Sequence, residues 1–214
     1  MMDVAEQEQS ETKCLVMIMG PSCAGKSVLE RALASRPEFS RIIGFTTREQ
    51  RPREIDGLDY DFVSESEAAG IVREMDYVEQ EKVAGAHYGA TRARFNQAMR
   101  DGIPVVVCDP KGCDTYQSYC RANGITPIQI FVSAPAELLI ARWLSRFAEE
   151  TSKGEVLNKY AQRIRQTVEC EVDWSRGRSI DLTFFGLGET MTLDFAVGQI
   201  VELVDKTRRV KRAG

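Results

Sequence analysis

The sequence predicts an α/β protein, a parallel-sheet core flanked by helices, and three observations carry that expectation. The run Cys14-Leu15-Val16-Met17-Ile18-Met19 is continuously apolar, as a strand covered on both faces must be. The octet Gly20-Pro21-Ser22-Cys23-Ala24-Gly25-Lys26-Ser27 follows directly and fits a phosphate-cradling loop: glycine, four residues, then Gly-Lys-Ser. Behind it Val28, Leu29, Ala32 and Leu33 recur at helical spacing until Pro37 interrupts. Strand, glycine loop and helix together aim backbone N–H groups and a helix N-terminus at an anion. Gly20, Ser22, Ala24, Gly25, Lys26 and Ser27 are therefore the expected phosphate contacts.

Composition sets the bounds. With 214 residues, 43% of them hydrophobic and 28% charged, the chain can bury one full-sized core. Its apolar runs have strand length, short of a membrane span, and no signal-peptide pattern is apparent at the start. Residues 1–11 are polar and acidic and expected to be disordered. A net charge of −4 argues against non-specific nucleic-acid binding, while leaving room for a local basic cleft. The six cysteines show no Cys-x-x-Cys or metal spacing and are expected as reduced thiols in a cytoplasmic protein, with Cys14 and Cys108 in buried strands. Cys23 sits in the glycine loop beside a helix N-terminus and Lys26, where oxidation sensitivity is one reading and a small loop residue the other.

In chain order, Ile42 to Phe45 predicts a short strand leading into Thr46-Thr47-Arg48-Glu49-Gln50-Arg51, dense in hydroxyl and guanidinium donors. A capping box at Ser64 to Glu67 opens a helix to Glu74, and Tyr77 to Val83 alternates as an exposed strand. His87, the single histidine, is expected in an exposed turn before Tyr88. A helix over 92–100 ends at Gly102. Ile103 to Asp109 is a buried strand that closes on an acid at the carboxyl edge of the sheet, where ligands gather. Ile128 to Val132 is a further strand, and Pro135 opens a helix that places Arg142 and Arg146 on one face. The polar segment Ala148 to Asn158, followed by Arg163 and Arg165, suits a flap. Ile180 to Phe185 is the last strand, a helical stripe runs from Leu193 to Val204, and the basic tail after Lys206 is expected to fray.

Taken in order, the glycine loop, Thr-Thr-Arg-x-x-Arg-x-x-Glu, Gly-x-Asp-Tyr-x-Phe, Glu79, Tyr88-Gly89, Asp109 and the arginines after Pro135 resemble the guanylate kinases over roughly Leu15 to Arg165. The resemblance implies a P-loop nucleoside-monophosphate kinase fold. Its core would comprise 12–43, 92–145 and 166–206, with an acceptor-binding region at 44–91, a lid at 146–165 and a basic tail at 207–214. It implies ATP and GMP or dGMP as substrates, Mg²⁺ as cofactor, no nucleic-acid or membrane partner, and a monomer or homodimer. By position, Arg48, Arg51, Tyr60 and Tyr88 would hold the acceptor phosphate, with Glu54 orienting the two arginines. Glu79 would accept from the guanine ring nitrogen and amino group. Lys26 and Ser27 would serve ATP and Mg²⁺, with Asp109 behind the metal through water and also, with Thr91, among the acceptor-nucleotide contacts. Arg142, Arg146 and Arg163 would close on the transferring group. The chemistry agrees: an acceptor phosphate with a second pKa of about 6 is ionised at neutral pH and needs no general base.

The chain departs from the family pattern at named places. Gly44 stands two residues before Thr-Thr, where the family has Ser, and Ala90 follows Tyr-Gly, where it has another hydroxyl. Both hydroxyls serve the guanine carbonyl, and Thr46 and Thr91 are the candidates to replace them. Val107-Cys108-Asp109 replaces Asp-x-Asp, Phe185-Gly186 replaces Asn-Asp, and the lid is longer. Two other readings follow: a kinase of related fold with another nucleotide or ribose-phosphate acceptor, and a non-catalytic guanylate-kinase-like binding module, which the retained Lys26 and Ser27 disfavour.

Overall fold

The structure, a computed structural model, describes residues 13–51, 54–83, 85–148, 175 and 177–210. The main sheet has five parallel strands in the order β2-β7-β1-β8-β9. These are β1 (Cys14–Met19), β2 (Phe39–Arg41), β7 (Ile103–Val107), β8 (Thr126–Ser133) and β9 (Leu182–Phe185). Every residue of β1 is buried, which explains its unbroken apolar run. Its side chains alternate between two cores. Cys14, Val16 and Ile18 pack with Leu29 and Leu33 of α1 (Lys26–Ala34) and with Ala196 and Ile200 of a long C-terminal helix. Leu15, Met17 and Met19 pack with Phe95 and Ala98 of α3 (Arg92–Asp101) and with Cys113, Tyr116 and Cys120 of α4 (Pro110–Ala122). Helices on both faces make this a doubly covered α/β sheet, as expected.

Four shorter strands, β3 (Phe45–Thr46), β4 (Asp61–Phe62), β5 (Tyr77–Val83) and β6 (Ala86–Thr91), form a second sheet in the order β4-β3-β6-β5. It is joined by α2 (Glu65–Arg73), which starts with the expected capping box: Glu67 N–H donates to Ser64 Oγ at 3.2 Å, and Ser64 N–H to Glu67 Oε2 at 2.7 Å. The core is completed by α5 (Ala136–Ala148) and α6 (Leu193–Val210).

Several expectations need correction. Ile42 to Gly44 joins two strands rather than forming one. His87 lies within β6, its side chain only 24% exposed and its Nε2 3.6 Å from Glu65, because Thr47 N–H and Thr46 Oγ1 both pair with its carbonyl. On α1, Val28 is exposed and Glu30 takes the buried place. Cys108 falls just beyond β7. α4 was not foreseen; Asp109 caps it and Pro110 occupies its first turn. α6 continues to Val210 instead of fraying after Lys206, with Arg208 and Arg209 placed favourably against the helix dipole. The expected lid at 146–165, including Arg163 and the side chain of Arg146, lies outside the described residues apart from the end of α5, as do the N-terminal tail and residues 211–214.

Candidate active site

The glycine loop leaves the carboxyl end of β1 and turns into α1. Gly20 has φ +135°, and a Cβ there would lie 1.9 Å from the Val132 carbonyl oxygen, so neither the conformation nor the space admits a side chain. Gly25, the N-cap of α1, supplies no side-chain cap, which leaves the first-turn N–H groups pointing at whatever occupies the loop. Lys26 folds back over the loop, its Nζ donating to the carbonyls of Gly20 and Pro21, the latter at 2.8 Å. Arg142 reaches in from α5 and donates to the carbonyls of Cys23 and Leu187, each at 3.2 Å. Ser22, Gly25, Lys26, Ser27 and Arg142 line one cavity of about 750 Å³, while Ala24 is wholly buried and supports the loop from behind.

The same cavity is lined by Arg48, Arg51, Glu54, Tyr60 and Tyr88. Glu54 takes both terminal nitrogens of Arg48 at 2.7 Å each and the Arg51 backbone N–H at 2.9 Å. Burial works against the Glu54 charge, but the hydrogen bonds from Arg48 and Arg51 outweigh it and hold the carboxyl below the usual range. The Arg48 guanidinium also lies 5.2 Å from the Tyr60 ring centroid, and the Tyr60 and Tyr88 rings meet edge to face at 6.1 Å. Desolvation, with the nearby Glu30 charge, pushes the Tyr60 phenol up to about 12, so it stays a hydrogen-bond donor. Two cations, one carboxylate and two phenols thus form a patch with net positive charge, suited to a phosphate.

The cavity is also lined by Glu79, Asp109, Cys108 and Tyr116, with the apolar Ile42, Ala90, Val106 and Val107. Burial, with Asp109 and Glu81 nearby, pushes the Glu79 carboxyl up to about 8. Asp109 Oδ1 accepts the Gly112 N–H at 2.8 Å and so caps α4. Neither threonine proposed as a replacement hydroxyl lines the cavity. Thr91 caps α3, accepting from Arg94 N–H at 3.2 Å, and Thr46, wholly buried, gives its hydroxyl proton to the His87 carbonyl at 2.8 Å.

Two contributors escape sequence reading. Glu30 is 5% exposed and pairs with Arg41 at 3.1 Å, and Arg41 also donates to the Leu58 carbonyl at 2.9 Å. With Arg31 bonded to Asp59 at 2.9 Å, this ties α1 to the loop that carries Tyr60. The available signal was Glu30 standing four residues after Lys26, on the same helix face. Leu187 and Gly188 also line the cavity, at a turn with no motif to mark it.

Comparison with known proteins agrees with this geometry. The family model for guanylate kinase matches residues 12–176. The guanylate kinase of Brucella melitensis biotype 1 is 29% identical over 203 residues, covering 94% of this chain and 86% of its own. That of Rubrobacter xylanophilus is 32% identical over 174 residues, covering 77% and 88%. The crystal structure of guanylate kinase from Anaplasma phagocytophilum shares the fold with a TM-score of 0.63 at 18% identity, covering 92% of this chain and 87% of that one. Parallel-sheet core, glycine loop and second sheet define the class, a P-loop kinase of the nucleoside-monophosphate type. The chain belongs to the guanylate kinase family.

Proposed function

We propose that this enzyme transfers the terminal phosphoryl group of ATP to GMP or dGMP, giving GDP or dGDP and ADP. One observation carries the reading: a single cavity is lined both by Lys26 and Ser27 at the uncapped start of α1 and by the Glu54-oriented Arg48 and Arg51 with Tyr60 and Tyr88. Two phosphate sites in one cavity are what transfer between two phosphates requires, whereas a binding module needs neither.

In this reading Lys26 and the α1 N–H groups hold the donor phosphates, and Arg142 steadies the loop through the Cys23 carbonyl. Arg48, Arg51 and the two phenols align the acceptor phosphate. Glu79 takes the guanine N1–H and 2-amino protons. Ser27 and Asp109 offer only oxygen donors and line the same cavity, a set that fits Mg²⁺. When bound, that ion neutralises charge on the donor phosphates. The acceptor phosphate is already ionised, so the mechanism asks no side chain to remove a proton. The described cysteines are reduced thiols, which supports a cytoplasmic setting.

The test is a coupled ADP-release assay across the nucleoside monophosphates, with ribose 1,5-bisphosphate added as an acceptor. GMP and dGMP are expected to lead by at least about 10²-fold over AMP, CMP and UMP. Better turnover of a non-guanine acceptor would replace the substrate assignment. Failure to bind either ATP or GMP by calorimetry would favour the binding module.

A further inference from the structure

Glu30 is a buried charge that the phosphoryl transfer described above does not use. It follows Lys26 by one helical turn on α1, is 5% exposed, and lines the cavity together with Arg41. Its carboxylate pairs with the Arg41 guanidinium at 3.1 Å and accepts the Val107 backbone N–H. Burial opposes its charge, and Arg41 only partly offsets that cost. Stability does not call for such a pair, because apolar side chains of similar volume often serve a buried site as well or better. The Arg41 Nε is in addition buried with no hydrogen-bond partner among the described residues.

What the pair holds is the loop that leads into Tyr60. Arg41 Nη1 donates to the Leu58 carbonyl at 2.9 Å, and Arg31, next to Glu30 on α1, donates to the Asp59 carboxylate at 2.9 Å. The loop is braced within itself. Asp59 N–H donates to the Ile55 carbonyl at 2.8 Å, Ile55 N–H to Asp59 Oδ2 at 2.9 Å, and Gly57 N–H to the Tyr60 carbonyl at 2.8 Å. Leu58, Asp59 and Tyr60 are thus one piece, fixed by two arginines against the helix whose uncapped start is assigned to the donor phosphates. The Glu30 charge also lies close enough to help keep the Tyr60 phenol protonated.

We propose that Glu30 and Arg41 are positioning residues for the transfer: as a pair they set Tyr60, and with it the acceptor phosphate, at a fixed place relative to the donor loop. This rests on the acceptor site assigned under Proposed function. Alignment of two bound reactants is where a displacement of about 1 Å can cost about 10²-fold in rate. The donor loop itself keeps its own contacts when the pair is removed, so ATP binding should hardly change.

The experiment exchanges the pair for apolar side chains in Glu30→Leu/Arg41→Met, and repeats the exchange in the Tyr60→Phe background. The melting temperature is expected at or above that of the wild type. In steady-state kinetics, kcat/KM for GMP should fall by about 10- to 10²-fold while KM for ATP stays within about 2-fold. In Tyr60→Phe the same exchange should cost less than about 3-fold, because its effect runs through the phenol. Glu30→Gln, which keeps the side-chain volume, is carried through the same cycle and should show the same dependence on Tyr60. Arg31→Gln, at an exposed position, breaks only the second tie and should cost about 3-fold in kcat/KM for GMP. Wild-type kcat/KM for GMP in the folded double variant overturns the inference while leaving the GMP assignment standing. An equal loss with and without Tyr60→Phe also overturns it, since a purely structural pair would behave that way. Absence of GMP turnover in the wild type removes the assignment itself, and the inference with it.

Discussion

Glu54 holds Arg48 in a two-point grip, 2.7 Å to each terminal nitrogen, and steadies the Arg51 backbone with the same carboxylate. Bidentate pairing fixes the plane of a guanidinium as well as its position, which is what an acceptor phosphate needs from it. In Glu54→Gln one hydrogen bond and the charge are lost together. KM for GMP is expected to rise by about 10- to 100-fold, or about 1.4 to 3 kcal/mol, with a smaller change in kcat. Steady-state kinetics at saturating ATP measure this, and an unchanged KM would remove Glu54 from the account.

The buried Glu79 carboxyl predicts a pH effect. Its pKa lies near 8, raised by burial and by the neighbouring Asp109 and Glu81, with Tyr116 and Cys108 also facing it. At pH 6 it is protonated in the free enzyme and presents a donor toward the guanine N1–H. Acceptance of both guanine protons needs the carboxylate, so kcat/KM for GMP should climb as pH rises through about 8 and then level, and Glu79→Gln should lose that rise.

Stability runs the other way. A carboxyl whose folded pKa is raised binds its proton more tightly when folded, so its contribution is fully present below about 4.5 and is lost as pH rises toward about 8. Wild-type melting temperature should therefore fall between pH 5 and 9 relative to that of Glu79→Gln. Parallel curves for the two proteins would show that Glu79 does not carry the shift.

Much of this was legible in the sequence, for local reasons. The glycine loop, its flanking strand and helix, the capping box at Ser64 and the Arg48-to-Tyr60 stretch are each written within a dozen residues. What stayed hidden depends on register and distance. That Glu79, Ala90 and Gly44 form one row follows from pairing three strands across the chain from Gly44 to Ala90. The Glu30–Arg41 pair forms only when α1 packs beside the loop of Tyr60. α4 was missed because its buried face is Cys113, Tyr116 and Cys120, which do not stand out as an apolar stripe.

Gly44 offers a packing test. Gly44→Ala places a methyl 2.8 Å from the Gly89 carbonyl oxygen, so the backbone contact between Gly44 and β6 must open, while the Tyr60 ring at 3.7 Å is not crowded. The expected cost is about 1–3 kcal/mol of stability, measured by urea unfolding. Wild-type stability would show that the two strands approach less closely than this geometry requires.

Lys26 is the donor-side counterpart. Lys26→Ala removes the cation from the loop while Gly20, Gly25 and α1 keep their backbone, so kcat should fall by about 10²- to 10³-fold with circular dichroism unchanged.

The most direct measurement is phosphorus-31 NMR of ATP, GMP and Mg²⁺ incubated with the purified chain. The GMP signal should be replaced by GDP while ADP appears in equal amount, and both changes should disappear in Lys26→Ala. ATP and GMP left unchanged, or ATP hydrolysed to ADP and inorganic phosphate with GMP untouched, would contradict phosphoryl transfer between the two sites of the cavity.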